Sequence, residues 1–260
     1  MCSILRNAPE FSSLRYNEMT LTPELDGIGV TDARLGSARE RIELEYQISP
    51  ATDSLSQALL TVAAERAYHP VRQYLEGLIW DRRPRLDSVA ERILGAENSE
   101  INNTMIRAWF ISAVARAMRP GCKVDTSLVL VGAQGLYKST FFSILGGAWF
   151  ADTGIDLESK DAMLQINHAW IYELAELDQI TSRAHAGRIK SFLTSQVDKY
   201  RAPYARAVSS VPRCNVIVGS TNEMQFLADP TGARRFWCVR VPRPVDRTAL
   251  YAERDQLWAE

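Results

Sequence analysis

The chain is poor in the residues from which metal centres and disulfide frameworks are built. Its four cysteines, Cys2, Cys122, Cys214 and Cys238, are scattered without a Cys-x-x-Cys spacing, and its three histidines are His69, His168 and His185. This argues against a zinc site and a disulfide scaffold, and the free thiols read as a reducing, cytoplasmic compartment. No apolar run approaches a membrane span, and no basic-then-apolar signal opens the chain. Charge of one sign is lacking too, with 30 Lys and Arg against 31 Asp and Glu. No global basic field announces nucleic acid, so any such contact must come from local patches. What is present, 46% hydrophobic and 23% charged residues over 260 positions, suits a globular protein with one substantial core and a smaller accessory unit.

Residues 1–122 predict a mainly helical region. Met1 to Leu25 is polar and weakly patterned, and reads as a leader with no committed element. Helical spacing runs from Thr31 to Tyr46. A second helix, capped by Asp53 or Ser54, passes through Leu59, Val62 and Ala63. Pro70 is placed to open a third, with Val71, Tyr74, Leu75 and Leu78 on one face. Val89 to Leu94 and about Glu100 to Met118 follow, the latter with Met105, Trp109, Ile111, Val114 and Ala115 as its apolar stripe. No strand is predicted before Pro120-Gly121.

From residue 123 to 260 short apolar strands alternate with helices, the pattern of an α/β layer built on a parallel sheet. The predicted strands are Leu128–Val131, Trp149–Asp152, Ala169–Glu173, Asn215–Ser220 and Phe236–Val241. The predicted helices are Lys138–Leu145, Ser159–Ile166 and Gly187–Thr194. Arg247 to Glu260 is amphipathic and stops without a cap, which reads as a helix cut short with a C-terminal portion missing.

The most informative stretch is LVLVGAQGLYKSTFF, Leu128 to Phe142. A buried strand, a glycine-rich turn, Lys-Ser and a helix are the layout of a phosphate-binding loop, although a plain glycine-rich turn between a core strand and a helix reads the same way. Gly132 and Gly135 let backbone N–H groups converge on phosphate oxygens, and the helix N-terminus at Lys138, Ser139 and Thr140 adds its positive end. Lys138 can reach the β- and γ-phosphates, and the Ser139 hydroxyl can ligate Mg²⁺. Tyr137 stands where such loops carry glycine. A bulky side chain there is expected to crowd the phosphates or to force the loop out of its usual curvature.

Further along, Ala169 to Glu176 is an apolar strand with an acidic tip. Glu173 suits the water shell of a metal and Glu176 suits activation of a water, although both also suit a solvated strand end. Asn215 to Asn222 (NVIVGSTN) is a strand with a polar tip, where Asn222, or Thr221, could orient a water or simply close a turn. Arg234 and Arg235 precede the last strand, as forks for γ-phosphate charge supplied to a neighbouring subunit or as surface charges. Lys199, Tyr200, Arg201 and Arg206 mix cations and aromatics around Pro203. They suit a hairpin on single-stranded nucleic acid, an intersubunit contact or an ordinary solvated hairpin.

Taken in order, these segments resemble the virulence-associated protein E family, itself similar to superfamily III helicases and primase-helicase ATPase modules. The resemblance runs from about Phe11 to Glu260. It is carried by YHPVRQYLEGLIWDRRPRLD (Tyr68 to Asp87), GAQGLYKSTFF, WIYELAELD, DKYRAPYAR, VGSTN and DPTGARRFW. It implies a P-loop NTPase core of AAA+/superfamily III type, ATP and Mg²⁺, and a homo-oligomeric ring acting on single-stranded or forked DNA in replication. Position by position, Gly132, Gly135, Lys138 and Ser139 would hold phosphates, and Glu173 would serve the metal. Asn222 would act as sensor, and Arg234 or Arg235 as the finger given to the adjacent subunit. Two departures stand out: Tyr137 for the family's loop glycine, and Ala233 for an asparagine before the arginine pair. The first opens an alternative, a non-catalytic nucleotide- or DNA-binding regulator with a disabled loop. A P-loop kinase is the other rival; it would need an acceptor pocket, and the arginine pair after an asparagine strand favours a ring ATPase.

Overall fold

A computed structural model describes residues 1–154, 162–174, 186–200, 209–222 and 234–260. The chain folds into two compact units, one over Met1–Gln73 and the other from Tyr74 onward. The change of sequence pattern at 122/123 therefore falls inside the second unit.

The first unit is not purely helical. Helix α1 (Cys2–Asn7) leads into strands β1 (Arg15–Asn17), β2 (Thr22–Leu25) and β3 (Ile28–Gly29), and β4 (Ala67–Tyr68) completes a sheet in the order β3-β2-β1-β4. This corrects the expectation of an unstructured leader and a strand-free N-terminal half. Helices α2 (Asp32–Tyr46) and α3 (Thr52–Ala64) match the sequence periodicity. Thr31 caps α2 through the amide of Arg34. No side chain caps α3, so neither Asp53 nor Ser54 takes the role expected of it. Ile42, Leu55, Leu59 and Val62 pack with Leu5, Phe11 and Leu14 into the core that holds the unit together. Under the short strands Glu24 is buried, accepting from Asn17 Nδ2 at 2.7 Å and from the Tyr68 hydroxyl at 2.5 Å. Burial first, then that carboxylate, pushes the Tyr68 hydroxyl up to about 12.

Helix α4 (Pro70–Glu76) opens at its proline as expected, and a π-helical turn covers Val89–Ile93. In the second unit α5 (Glu100–Met118) buries Ile106, Trp109, Phe110, Ala113, Arg116 and Ala117. Of the predicted stripe only Trp109 lies on the buried face, and Ile111 is exposed. The strands that follow are β5 (Ser127–Val131), β6 (Phe150–Ala151), β7 (Ile171–Leu174), the hairpin pair β8 (Val197–Tyr200) and β9 (Ser209–Pro212), β10 (Val216–Thr221) and β11 (Phe236–Arg240). Among the described residues the main sheet has five strands in the order β11-β5-β10-β7-β6, every pairing parallel. β5, β7 and β10 are buried along their whole length, as the inner strands of a parallel sheet should be, with Glu173 on β7 and Ser220 and Thr221 on β10 among their buried polar exceptions. Among the described residues this unit carries α5, α6 (Lys138–Gly146), α7 (Ala162–Asn167), α8 (Ala186–Thr194) and α9 (Arg247–Ala259). Each predicted strand of the core is found, with edges moved by one or two residues.

Rings fasten α6 in place. Trp258 on α9 packs against Trp170 at 4.3 Å and Phe110 at 4.7 Å, and Trp109 meets Phe142 at 5.7 Å. The indole N–H of Trp258 donates to the Leu145 carbonyl, and that of Trp170 to the Ala113 carbonyl. Aromatic packing of this kind contributes beyond area burial. Trp258→Ala is expected to destabilise the chain by about 3–5 kcal/mol, read as a lowered urea midpoint at unchanged slope.

Candidate functional site

The site grows out of the carboxyl ends of three adjacent strands. β10 lies between β5 and β7, with Thr221 opposite Val131 and Val218 opposite Glu173. The loop therefore leaves β5 beside the polar tip of β10, with the acidic strand one place further on. Gly132 donates its amide to the Thr221 carbonyl at 3.2 Å. A Cβ at Gly132 would sit 2.4 Å from the Val241 carbonyl oxygen, so this close approach requires glycine. Gly135 turns the loop at φ +83°, and α6 begins at Lys138.

Tyr137 itself takes the left-handed conformation that glycine supplies elsewhere, at φ 61° and ψ 32°, as the residue that opens α6. Such a conformation costs a non-glycine residue about 1–2 kcal/mol. The loop keeps its turn, with the Phe141 amide donating to the Tyr137 carbonyl. The ring lies under the guanidinium of Arg247, 3.9 Å from its carbon.

Lys138 is 8% exposed and directs its ammonium back across the loop. Nζ donates to the carbonyls of Gly132 (2.7 Å) and Ala133 (2.9 Å) and to Asn222 Oδ1 (3.0 Å). Burial lowers its affinity for a proton, and the nearby Glu173 carboxylate opposes that. Ser139 Oγ donates to Glu173 Oε1 at 2.8 Å and lies 3.4 Å from Ser220 Oγ. Glu173 is 1% exposed, and its Oε2 is buried without a hydrogen-bond partner among the described residues. Burial raises its carboxyl above the usual range, and Asp152 adds to the rise. Ser220, Ser139 and Lys138 work in the other direction.

Lys138, Ser139, Glu173 and Asn222 thus converge. Loop residues 134–140 with Ser220, Thr221 and Asn222 line a cavity of about 430 Å³, a size that suits a small ligand. Thr140 is in that lining. A hydroxyl beside a buried carboxylate with an unpartnered oxygen is a hard-oxygen pair of the kind Mg²⁺ takes, usually with waters completing the shell, so these residues fit the ion. Sequence reasoning misses Ser220 and Asp152, although both stand at tips of predicted strands. Strand order, which brings β6 and β10 to either side of β7, is what brings them to Glu173.

The other sequence candidates lie elsewhere. Arg234 and Arg235 precede β11, whose first residue Phe236 pairs with Ser127, the first residue of β5. Because the strands are parallel, the arginines sit at the amino end of the sheet and Lys138 beyond its carboxyl end. A five-residue strand, about 16 Å long, separates them. Lys199 is exposed on β8 and Tyr200 ends that strand. Glu176, Arg201, Arg206 and Ala233 lie outside the described residues. Among those described, no helix is long and apolar enough to cross a membrane.

Fold and site together define an α/β protein with a parallel sheet and a glycine-rich loop and lysine at its carboxyl edge. The virulence-associated protein E-like domain matches residues 75–260, and the chain belongs to that family. A search of curated protein sequences gives no match. Among solved structures the chain is similar to the apo NrS-1 C-terminal region (305–718), with a TM-score of 0.59 at 11% identity over 95% of this chain. A second structure, the A form of the same apo region, gives 0.57 at 10% identity. The chain spans 65% of the length of each, and the likeness is one of fold.

Proposed function

We propose that the second unit is a P-loop NTPase core that binds and hydrolyses ATP with Mg²⁺, as a superfamily III helicase-like motor acting on DNA in replication. The observation that carries this reading is the meeting of Lys138, Ser139, Glu173 and Asn222 at the carboxyl ends of adjacent parallel strands. Loop amides and Lys138 would hold the phosphates, exchanging the ammonium's bonds to the Gly132 and Ala133 carbonyls for phosphate oxygens. Ser139 and Glu173 would hold Mg²⁺, which when bound neutralises charge on the β- and γ-oxygens. Asn222, released from Lys138, would orient the attacking water, and Glu173 or Glu176 would take its proton as the bond from the γ-phosphorus to the β,γ-bridging oxygen breaks. With Arg234 and Arg235 at the far end of the sheet, either would act on the site of an adjacent copy, which favours a homo-oligomeric ring. Lys199, Tyr200, Arg201 and Arg206 would contact single-stranded or forked DNA.

Two observations favour the alternative of a non-catalytic nucleotide- or DNA-binding regulator. Tyr137 is held beneath Arg247, and Lys138 is satisfied within the protein. Steady-state ATP hydrolysis, with and without single-stranded DNA, separates the two. The motor reading expects DNA-stimulated turnover, its loss in Lys138→Ala, and nucleotide affinity reduced by about tenfold or more in that variant. A parent that is inactive while Tyr137→Gly turns over would establish the regulator.

A further inference from the structure

We infer that Tyr137, braced by Arg247, is the base platform of the nucleotide site: a purine ring stacks on its phenol while the phosphates lie over the loop. The inference rests on the phosphate-binding reading above and names the part of the ligand that the loop alone does not recognise. Three observations meet here. Tyr137 lines the cavity together with Lys138, Ser139 and Asn222. It occupies a left-handed backbone position that is costly for any side chain, and strain of this kind persists where the surroundings enforce it and tends to mark function. Its ring is fixed by a cation on one face, 3.9 Å from the guanidinium carbon of Arg247, yet the residue is 41% exposed.

A buried aromatic would read as packing, and a loose surface tyrosine would read as nothing. A ring that is clamped, exposed and at the rim of a polar cavity offers a flat apolar surface where the remainder of the cavity offers hydrogen bonds and charge. Arg247 is the first residue of α9, and Asp246 before it accepts from the Ala249 amide, so the brace stands on a capped helix rather than on a free loop. The Leu136 carbonyl accepts from the Val245 amide, which ties the segment carrying Arg247 to the loop carrying Tyr137. Recognition by a ring face reads the size of the base rather than its edge. The platform therefore favours purine over pyrimidine nucleoside triphosphates and distinguishes weakly between adenine and guanine.

The test is titration calorimetry of the full chain with Mg²⁺-bound ATP, CTP and inorganic tripolyphosphate, comparing the parent with Tyr137→Phe, Tyr137→Gly and Arg247→Ala. The readout is the ratio of nucleotide to tripolyphosphate affinity, which cancels any change in loop curvature. Tyr137→Gly should lower the ATP ratio about tenfold and remove the preference over CTP. Tyr137→Phe should keep both, and Arg247→Ala should give a smaller loss. An ATP ratio unchanged in Tyr137→Gly would overturn the platform while leaving the phosphate site standing. Tripolyphosphate that fails to bind the parent, or that binds equally to Lys138→Ala, would remove the phosphate reading and the platform with it.

Discussion

If the second unit hydrolyses ATP as proposed, Glu173→Gln is expected to lower that Mg²⁺-dependent turnover by about 10²–10⁴-fold while raising the melting temperature by about 2–4 °C, which for a domain of this size corresponds to about 1 kcal/mol. The two effects share one cause. Glu173 is buried, one of its oxygens is satisfied by Ser139, and the other has no partner among the described residues. A charge in that position is costly to the free protein and useful only to a ligand that completes it. Burial holds its folded-state pKa above the ordinary 4.5, so the folded protein takes up the proton more readily than the unfolded chain. The stability linked to this group is therefore fully present below pH 4.5 and is lost as pH rises from there through the raised folded value. Glutamine has no such titration. Its advantage over the parent should be small near pH 4 and largest at pH 7. If Glu173 holds Mg²⁺ as proposed, the affinity of the parent for the ion should follow the opposite course, weakening as pH falls through that same window. Thermal melts at both pH values with a hydrolysis assay at neutral pH make the check. A Gln variant less stable than its parent at pH 7 would sink the account.

Arg213→Ala is expected to cost about 3–5 kcal/mol, the penalty for leaving a buried charge without its partner. Asp198 on β8 and Arg213 beyond β9 have side chains 2% exposed and meet through two bonds, Nε to Oδ2 at 3.0 Å and Nη2 to Oδ1 at 2.5 Å. The remaining guanidinium nitrogen, Nη1, donates to the Phe192 carbonyl at 2.6 Å, and Asn167 adds a bond to Asp198. Arg116 crosses the same region, reaching the carbonyls of Arg213, Val124 and Ser195, and its own affinity for a proton is lowered by burial and by Arg213. The ion pair pins the base of the β8–β9 hairpin against α7 and α8. Urea denaturation of Arg213→Ala, Asp198→Leu and the double variant Asp198→Leu/Arg213→Met forms the check. The double variant should recover much of the loss, since a pair of apolar residues leaves no charge stranded. If both single variants remain within about 0.5 kcal/mol of the parent, the pair contributes nothing to the anchoring.

The sheet of the second unit is legible in the sequence because its central strands are apolar on both faces, and burial from both sides writes itself into sequence as an unbroken run. The loop is legible for a related reason: Gly132 and Gly135 are required by a close approach and a positive φ that no other residue meets cheaply. The first unit hides its strands. RYN and TPEL are three and four residues long and carry a proline and a glutamate, and the polar side chains of Asn17, Glu24 and Tyr68 satisfy one another across the chain. The buried face of α5 departs from the predicted stripe because an arginine, Arg116, belongs to it and an isoleucine, Ile111, does not. Arg213 and Asp198 look like ordinary charges beside a hairpin, and only the hairpin register, with Asp198 opposite Val211, turns them inward as neighbours. Tyr137 departs from one of the two expectations held for a bulky residue in a glycine position: the loop is not forced out of its curvature, because the backbone adopts the glycine-like conformation with the ring under Arg247.

The strand order also dictates when the glycine-rich loop can take shape during synthesis. β5, which carries the loop, has β10 and β11 as its two neighbours, and these are the last strands of the sheet to be made. Until residues beyond Val216 have left the ribosome, Ser127–Val131 is an apolar strand with both edges open, the kind of segment that pairs with the wrong chain. Closure must bridge long sequence separations, which slows folding relative to a helical protein of the same length. A nascent chain stalled before β10 would thus expose an unpaired apolar strand, and chaperone dependence during translation should fall once β11 is complete.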